Sequence, residues 1–387
     1  MTATPAPLRV GIVGLGWMGR VHARAYLRLR QHYLDAPRQP LLVAVSDTAE
    51  DDRLATAVAA FGFASVHRDW RELVGRDDLD AVSVTGPNYL HRDVAVAAAR
   101  AGKHVWVEKP AGRDAGETEE IRAAVHAAGV QSAVGFNYRN APAVEVARAL
   151  VADRRLGRVT SVAVRMLADY AAHPDGALTW RFQRAWAGSG VLGDLVSHGI
   201  DLARHVVGEI EALVADTAIV VPERPRAGAS ASHFSRGGGG PLGPVENEDY
   251  AAALLRFAGG ARGTLEASRT AVGEQCTYGI EVRGERGALA WDFRRMGELR
   301  LCLDSDYTDG AWSTRYVAPG DGELGQFQPG SGIAMGYDDL KVIEAERFVR
   351  SIATGRPVGA TIEDAVAAAR LVDAMQASVV SGGWERP

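Results

Sequence analysis

Two short stretches of this chain carry residues able to move a proton or steady a charge on a carbon–oxygen bond. Glu108-Lys109-Pro110 puts an ammonium group directly after the apolar run His104–Val107. Gly190-Val191-Leu192-Gly193-Asp194-Leu195-Val196-Ser197-His198 sets Asp194 and His198 four residues apart, so that a helix carries both on one face, with Asp201 about one turn further on. An imidazole with an ordinary pKa near ~6.5 can take a hydroxyl proton, and a neighbouring carboxylate can orient it. An ammonium can polarise the same oxygen while hydride leaves the carbon. Of 43 basic residues, 40 are arginine, and only Lys103, Lys109 and Lys341 are lysine. Position rather than scarcity singles out Lys109, since Lys103 and Lys341 acquire no role from the sequence.

Each stretch alone has a plain structural reading. Glu-Lys-Pro is a surface ion pair before a proline turn, and Asp194 is an acid near a helix N-terminus with an incidental histidine. What changes the balance is the surrounding order of elements. Leu8–Gly14 reads as a buried strand and Met18–Leu34 as a helix. Leu41–Asp47 is a second strand, followed by an Ala-rich helix over 51–61. Ala81–Thr85 and Val105–Val107 are further strands, with the helix Leu90–Ala101 between them. The helix Glu117–Ala128 leads into the strand Gln131–Phe136. This alternation predicts an α/β domain with a parallel sheet covered on both faces, and ligands bind at the carboxyl ends of such strands. Lys109 falls at one of those ends.

Gly14, Gly16 and Gly19, in Gly14-Leu15-Gly16-Trp17-Met18-Gly19, follow the first strand and open the first helix. That is the context in which G-x-G-x-x-G binds a dinucleotide, with the pyrophosphate at the helix N-terminus. Gly14, Gly16, Trp17, Met18 and Gly19 are therefore the candidate phosphate cradle. Asp35 lies nearest the usual ~20-residue spacing for the ribose-binding acid, but it precedes the whole second strand. Asp47 ends that strand and is the candidate ribose ligand. The residues after it offer no nearby base except Arg53, which favours NAD over NADP. The turn Thr85-Gly86-Pro87-Asn88-Tyr89-Leu90-His91 adds Thr85, Pro87, Asn88 and His91 as candidates on the nicotinamide side, together with Glu108 and Lys109; a helix N-cap at Asn88 is the structural alternative.

After about Asn137 the grammar changes. A helix near Val144–Ala152 precedes the strand Val159–Leu167, and a helix runs from Leu192 to Val207. From Ala212 to Leu303 most segments read as antiparallel strands, and two helices, Asp338–Ile352 and Ile362–Gln376, close the chain. The reading is two domains. Residues 1–137 form a Rossmann dinucleotide-binding domain. Residues 138–387 form an α+β substrate-binding and oligomerisation domain with a large, mostly antiparallel open sheet, its C-terminal helices able to pack back on the first domain. The Gly-rich stretch Ala227–Pro244 reads as a flexible surface insertion.

Composition narrows the function classes. At 47% hydrophobic and 24% charged, with a net charge of −5 and no basic stripe, the chain reads as a globular protein that binds neither nucleic acid nor membrane. Two cysteines, Cys276 and Cys302, make no disulfide framework, and the histidines show no metal spacing, so no metal is expected. The N-terminus lacks the plan of a signal peptide, and a cytoplasmic location is expected.

With these motifs together, the chain resembles the Gfo/Idh/MocA oxidoreductase family, named for glucose–fructose oxidoreductase and inositol dehydrogenase. The motifs are the glycine turn, Pro-Asn-x-x-His, Glu-Lys-Pro, Gly-Phe-Asn-Tyr-Arg at 135–139 and Gly-x-x-x-Asp-x-x-x-His at 190–198. Within it, the segments Leu178–Gln183, Val221–Pro225 and Gly243-Pro244-Val245 look most like sugar and cyclitol dehydrogenases of the levoglucosan dehydrogenase type. The resemblance implies that Lys109, Asp194 and His198 are the catalytic set. It implies an NAD-dependent oxidation of a secondary hydroxyl of a sugar, glycoside or cyclitol, commonly at C3 of a pyranose, and a homotetramer or homodimer built on the outer face of the second domain's sheet. Asn137 joins the cofactor candidates. Tyr138, Arg181 and Gln183 join Lys109, Asp194 and His198 as candidate substrate contacts. Two other readings stand beside this one. The same chemistry could act on an amino sugar or aminoglycoside, met by Asp169, Asp175, Glu246, Glu248 and Asp249. A non-catalytic dinucleotide-binding regulator is the other, though such a protein has no need of the lysine, acid and histidine.

Overall fold

The computed structural model describes residues 6–49, 52–226, 235–237, 239–303, 307 and 309–387, and of Arg53 the backbone alone. The chain folds into two compact units, Met1–Asn137 with Gly336–Val366, and Tyr138–Met335 with Ala367–Pro387.

In the first unit, β1 (Leu8–Val13), α1 (Trp17–His32), β2 (Pro40–Ser46), α2 (Asp52–Phe61), β3 (Ser65–His67), α3 (Trp70–Val74), β4 (Ala81–Val84), α4 (Asn88–Arg100), β5 (His104–Val107), α5 (Ala115–Ala128) and β6 (Ser132–Val134) follow in order. All strands pair in parallel, in the spatial order β3-β2-β1-β4-β5-β6. This is the doubly wound Rossmann order, and the strand order reverses between β1 and β4. Burial explains the near-continuous apolar strands: β4 is wholly buried, as are Val105, Trp106 and Val107 of β5. Helix α1 turns its apolar stripe inward at Val21, Ala25, Tyr26 and Leu29. Strand β3 and helix α3 have no counterpart in the sequence reading. Each is too short, at three and five residues, to show a period.

The second unit begins with α6 (Pro142–Ala152), β7 (Val159–Leu167) and the short α7 (Arg184–Ala187). Where one continuous α-helix was expected, Leu192–Val196 is a π-helical turn, and α8 (Ser197–Val206) follows it. Then come β8 (Ile210–Ala218), β9 (Glu223–Pro225), β10 (Leu242–Pro244), β11 (Tyr250–Phe257), β12 (Arg262–Ser268), β13 (Thr277–Gly284), β14 (Gly287–Asp292), β15 (Glu298–Leu303) and β16 (Ser313–Tyr316). Eight strands form one sheet, ordered β16-β15-β14-β13-β7-β12-β11-β8, with β12–β7 its one parallel pairing among the described residues. Strands β11, β12 and β13 alternate buried and exposed residues, as expected of a sheet with one face packed. Helix α8 lies on that packed face, and a Cβ at Gly199 would sit 3.1 Å from Met166 and Val164.

Of the expected insertion over 227–244, residues 227–234 and 238 lie outside the described residues. The remainder is tied down rather than loose: β10 pairs with β9, and the amides of Ala177 and Gly237 bond to Ser235 O and Asp175 O. From Gly336 the chain belongs again to the first unit with α9 (Tyr337–Thr354). Its last helix, α10 (Ile362–Ser381), has its first turn in the first unit and the rest in the second. Among the described residues no helix is long and apolar enough to cross a membrane.

Candidate active site

The segments that follow β1, β2, β4, β5 and β6 carry the first unit's candidates. Gly14 follows β1 with φ +89°, and a Cβ there would lie 2.8 Å from the backbone of Gly86. A Cβ at Gly19 would lie 1.9 Å from Gly14 O, so the third glycine is what lets α1 start tight against the strand end. The Thr85 hydroxyl donates to Gly14 O at 2.7 Å, which makes Thr85 a brace of the turn. Gly16 is the N-cap of α1, with no side-chain cap bond, and the first turn, with Trp17 and Met18, holds no acid. The positive end of the helix is therefore unopposed by a carboxylate of its own. Trp17 is exposed and stacks on Tyr337 at 5.6 Å.

Asp47, directly after β2, accepts the Leu15 amide at 2.6 Å and the Ala49 amide at 2.8 Å, joining the glycine turn to the end of the second strand. The side chain of Arg53 lies outside the described residues. A base that the local sequence does not offer, Arg68 from the segment between β3 and α3, donates to the carbonyls of Asp47 and Ala49. Sequence spacing hid it, because 21 residues separate the partners.

The N-cap alternative for Asn88 also fails. Pro87 is the N-cap of α4 and Asn88 its first residue, with no side-chain cap bond. Asn88 is buried, and so is His91, whose ring nitrogens lie 2.8 Å from Gly86 O and from Pro110 O. His91 thus links the loop after β4 to the loop after β5, and burial lowers its pKa. Glu108 is buried, while Lys109 is half-buried. Asn137 is fully buried, and among the described residues neither its amide nitrogen nor its oxygen has a hydrogen-bond partner.

These features fit a dinucleotide. Two glycines leave no room for a side chain in the turn, the helix end favours an anion, a carboxylate directly follows the second strand, and a buried amide lacks a partner among the described residues. Exchanging Asp47 for serine removes the charge that repels a 2′-phosphate while Arg68 remains. The expected result is a fall in the NAD-over-NADP preference, as kcat/KM ratios, of at least tenfold, about 1.4 kcal/mol.

In the second unit Asp194 lies in the π turn, where one extra residue re-aims the side chains before α8. Its carboxylate accepts the Tyr170 hydroxyl at 2.5 Å and lies 3.6 Å from the Arg181 guanidinium. Burial and then the Asp194 charge hold the Tyr170 pKa well above its ordinary value, so the phenol stays a donor. Arg181, a candidate substrate contact, thus also neutralises Asp194, and its guanidinium lies over the Trp180 ring. His198 is buried and meets the Tyr138 ring edge-on at 4.7 Å. Tyr138 is itself packed against Tyr278 and Phe293. Gln183 is half-buried, and its carbonyl accepts the Ala187 amide. Asp201 is turned to a different task, a buried ion pair with Arg139.

Sequence reasoning missed Tyr170, which stands three residues beyond β7 with no local pattern to mark it. It also missed the capping of the π turn: Glu248 accepts the amides of Gly190 and Leu192 at 2.7 and 3.0 Å. Of the five acids weighed for an aminated sugar, two are engaged inside the fold. Glu248 serves the π turn and Asp249 pairs with buried Arg269, while Glu246 is exposed and accepts the Arg184 amide. Among the described residues one trio, His22, Glu108 and Glu344, could gather around a metal, and the Lys341 ammonium already bonds both of its carboxylates.

Two family models match the chain. One, described as an oxidoreductase family with an NAD-binding Rossmann fold, matches residues 8–136, and the GFO/IDH/MocA C-terminal domain matches residues 144–290. The levoglucosan dehydrogenase of Pseudarthrobacter phenanthrenivorans is 36% identical over 380 residues, covering 97% of each chain. The myo-inositol 2-dehydrogenase of Thermotoga maritima is 26% identical over 362 residues, 92% of each. A solved levoglucosan dehydrogenase in complex with NADH and L-sorbose has a TM-score of 0.91 at 36% identity, covering 98% of this chain and 99% of that one.

Proposed function

This chain belongs to the Gfo/Idh/MocA family of NAD-dependent oxidoreductases, and on that premise we propose that it oxidises a secondary hydroxyl of a sugar, glycoside or cyclitol to a ketone, at C3 when the substrate is a pyranose. The observation that carries the reading is the arrangement around Asp194. A carboxylate bonded by a tyrosine hydroxyl and flanked by an arginine lies four residues before a buried histidine, in a chain whose other unit is a Rossmann domain. The substrate class is supported by the levoglucosan and myo-inositol dehydrogenases that the chain resembles over nearly all its length.

Bound NAD supplies the hydride acceptor. Gly14, Gly16 and Gly19 with the start of α1 would hold its pyrophosphate and Asp47 its adenosine ribose, while Thr85, Pro87, Asn88, His91, Glu108 and Asn137 would frame the nicotinamide side. His198 takes the hydroxyl proton, and the Lys109 ammonium steadies the oxygen as negative charge develops on it. Asp194, held by Tyr170 and Arg181, orients His198 or a substrate hydroxyl. Tyr138, Arg181 and Gln183 contact the sugar.

A neutral sugar is favoured over an aminated one because two of the five acids able to meet an ammonium, Glu248 and Asp249, are buried and spent on the fold. Assembly as a homodimer or homotetramer fits the outer face of the large sheet, where Ala163, Arg165, Ala252, Leu254, Thr264 and Glu266 border an open depression of about 430 Å³.

The test is purified protein with NAD or NADP against anhydrosugars, pyranoses, glycosides, inositols and aminoglycosides, following cofactor reduction and identifying the ketone. Turnover with neutral sugars or cyclitols and NAD is expected. Reduction with aminoglycosides alone, or release of a free sugar with no net reduced cofactor, would overturn the reading.

A further inference from the structure

The buried cluster beneath Lys109 joins Glu108 to Lys341, a buried ammonium that the reaction leaves unassigned. Glu108 Oε1 accepts from His22 Nε2 on α1 at 2.9 Å and from Lys341 Nζ on α9 at 2.5 Å. Its Oε2 lies 3.3 Å from the amide nitrogen of Lys109, which donates to it. The carboxylate fills the space over Gly135, where a Cβ would lie 2.4 Å from Oε2. Lys341 also bonds Glu344 at 3.0 Å, and the Trp106 indole donates to the same Glu344 oxygen at 2.7 Å. His22 stacks on that indole at 3.7 Å. Lys341 is fully buried, and Glu108 lies 233 residues before it in the chain.

We infer that Lys341 is a positioning residue for the reaction: by neutralising Glu108 inside the fold it fixes the carboxylate that holds the Lys109 backbone, and so aims the Lys109 ammonium. The inference rests on the role proposed for Lys109. Two buried carboxylates face one buried ammonium, and removing that ammonium leaves a charge that must be protonated or must move. Moving Glu108 moves Lys109, its covalent neighbour, and misplacement by about 1 Å can cost a catalytic group on the order of a hundredfold in rate.

The charges in the cluster are coupled. Burial by itself would raise the Glu108 pKa, but Lys341 and His22 hold it well below the carboxylate range. Burial raises Glu344 to about 7, despite Lys341. Burial lowers His22 to about 4, and Lys341 adds to that lowering. The other titratable groups facing the cluster are Tyr26, bonded to Ser83, His91 in the first turn of α4, and Lys109 after β5. Without Lys341, His22 is the group able to supply a replacement cation. Its pKa then rises, so the compensating charge is present at low pH and is lost as pH rises through the new value.

The experiment compares Lys341→Met, Lys341→Arg, Glu108→Gln and the Glu108→Gln/Lys341→Met double variant with the parent protein. K341M is expected to lower kcat at least tenfold at alkaline pH, with the deficit shrinking as pH falls. The double variant should lack that pH dependence and be no worse than its single parents combined. Arginine should restore part of the rate. In cofactor-free protein, labelling by an amine-reactive reagent, read by mass spectrometry, should change at Lys109 by at least threefold in K341M. Lys103 and Lys341 are buried, so the Lys109 signal is separable. A folded K341M with unchanged Lys109 labelling, or with a loss equal at every pH and additive with E108Q, overturns the inference. Should K341M not fold, E108Q carries the labelling test by the same criterion. Labelling needs no turnover, so its failure is distinct from failure of the dehydrogenase reading.

Discussion

Lys109→Met and His198→Asn are each expected to remove nearly all turnover while NADH still binds. Methionine keeps the length of lysine and takes away the charge that steadies the developing alkoxide, a kind of stabilisation worth roughly 10²–10³ in kcat. Asparagine at 198 keeps a polar side chain beside the Tyr138 ring but cannot act as a base near neutral pH, and general-base assistance is worth roughly 10²–10⁴. Alanine is the poorer probe at 198, because it would open a cavity under Tyr138 and mix a stability loss into the rate. Lys109→Arg tests the chemistry more finely. A guanidinium keeps the charge but spreads it over a wider planar fork in place of a compact ammonium, so it should restore activity only in part. The measurements are kcat under saturating sugar and NAD, and NADH affinity from protein fluorescence. Near-normal turnover in either of the first two variants would refute the assignment.

Gly19→Ala is expected to abolish cofactor binding and to weaken the apo fold, whereas Gly16→Ala should harm binding alone. At Gly19 the new Cβ would stand 1.9 Å from Gly14 O, a backbone atom bonded by the Thr85 hydroxyl, so the turn between β1 and α1 must deform. At Gly16 the Cβ meets no atom of the described residues within 4 Å, yet it would project from the N-cap of α1, where the proposed site holds the pyrophosphate. The NADH dissociation constant should rise at least a hundredfold in G19A, about 2.7 kcal/mol. Melting of the cofactor-free proteins separates the two cases: G19A should melt lower, by about 1–3 kcal/mol of stability, and G16A should match the parent. Equal melting of G19A and the parent would mean that the turn tolerates the methyl group.

How much of this was legible in the sequence follows the range over which each feature is determined. The parallel sheet, its alternating helices and the large antiparallel sheet beyond it were readable, because burial on two faces or one leaves a local mark of period 2, period 3.6 or continuous apolarity. Choosing Asp47 over Asp35 needed only the end of a strand, and Lys109 likewise followed from the end of β5. Strand β3, helix α3 and strand β16 are too short or too exposed to carry such a mark. The π turn was read as ordinary helix, because its extra residue answers to Glu248, 56 and 58 residues distant, capturing two amides.

By itself, then, the sequence determined the class of fold, the glycine turn and which residues stand at strand ends, since each depends on neighbours within a dozen positions. Only the tertiary structure decided what those residues touch. It brought Arg68 to the backbone of Asp47, Tyr170 and Arg181 to Asp194, Arg139 to Asp201, and Lys341 to Glu108. A charge buried beside a distant partner leaves no periodicity behind. It is dictated by the need to satisfy polar groups once the chain has closed around them. Scarcity could not have found Lys341, and its burial among two carboxylates and a histidine does.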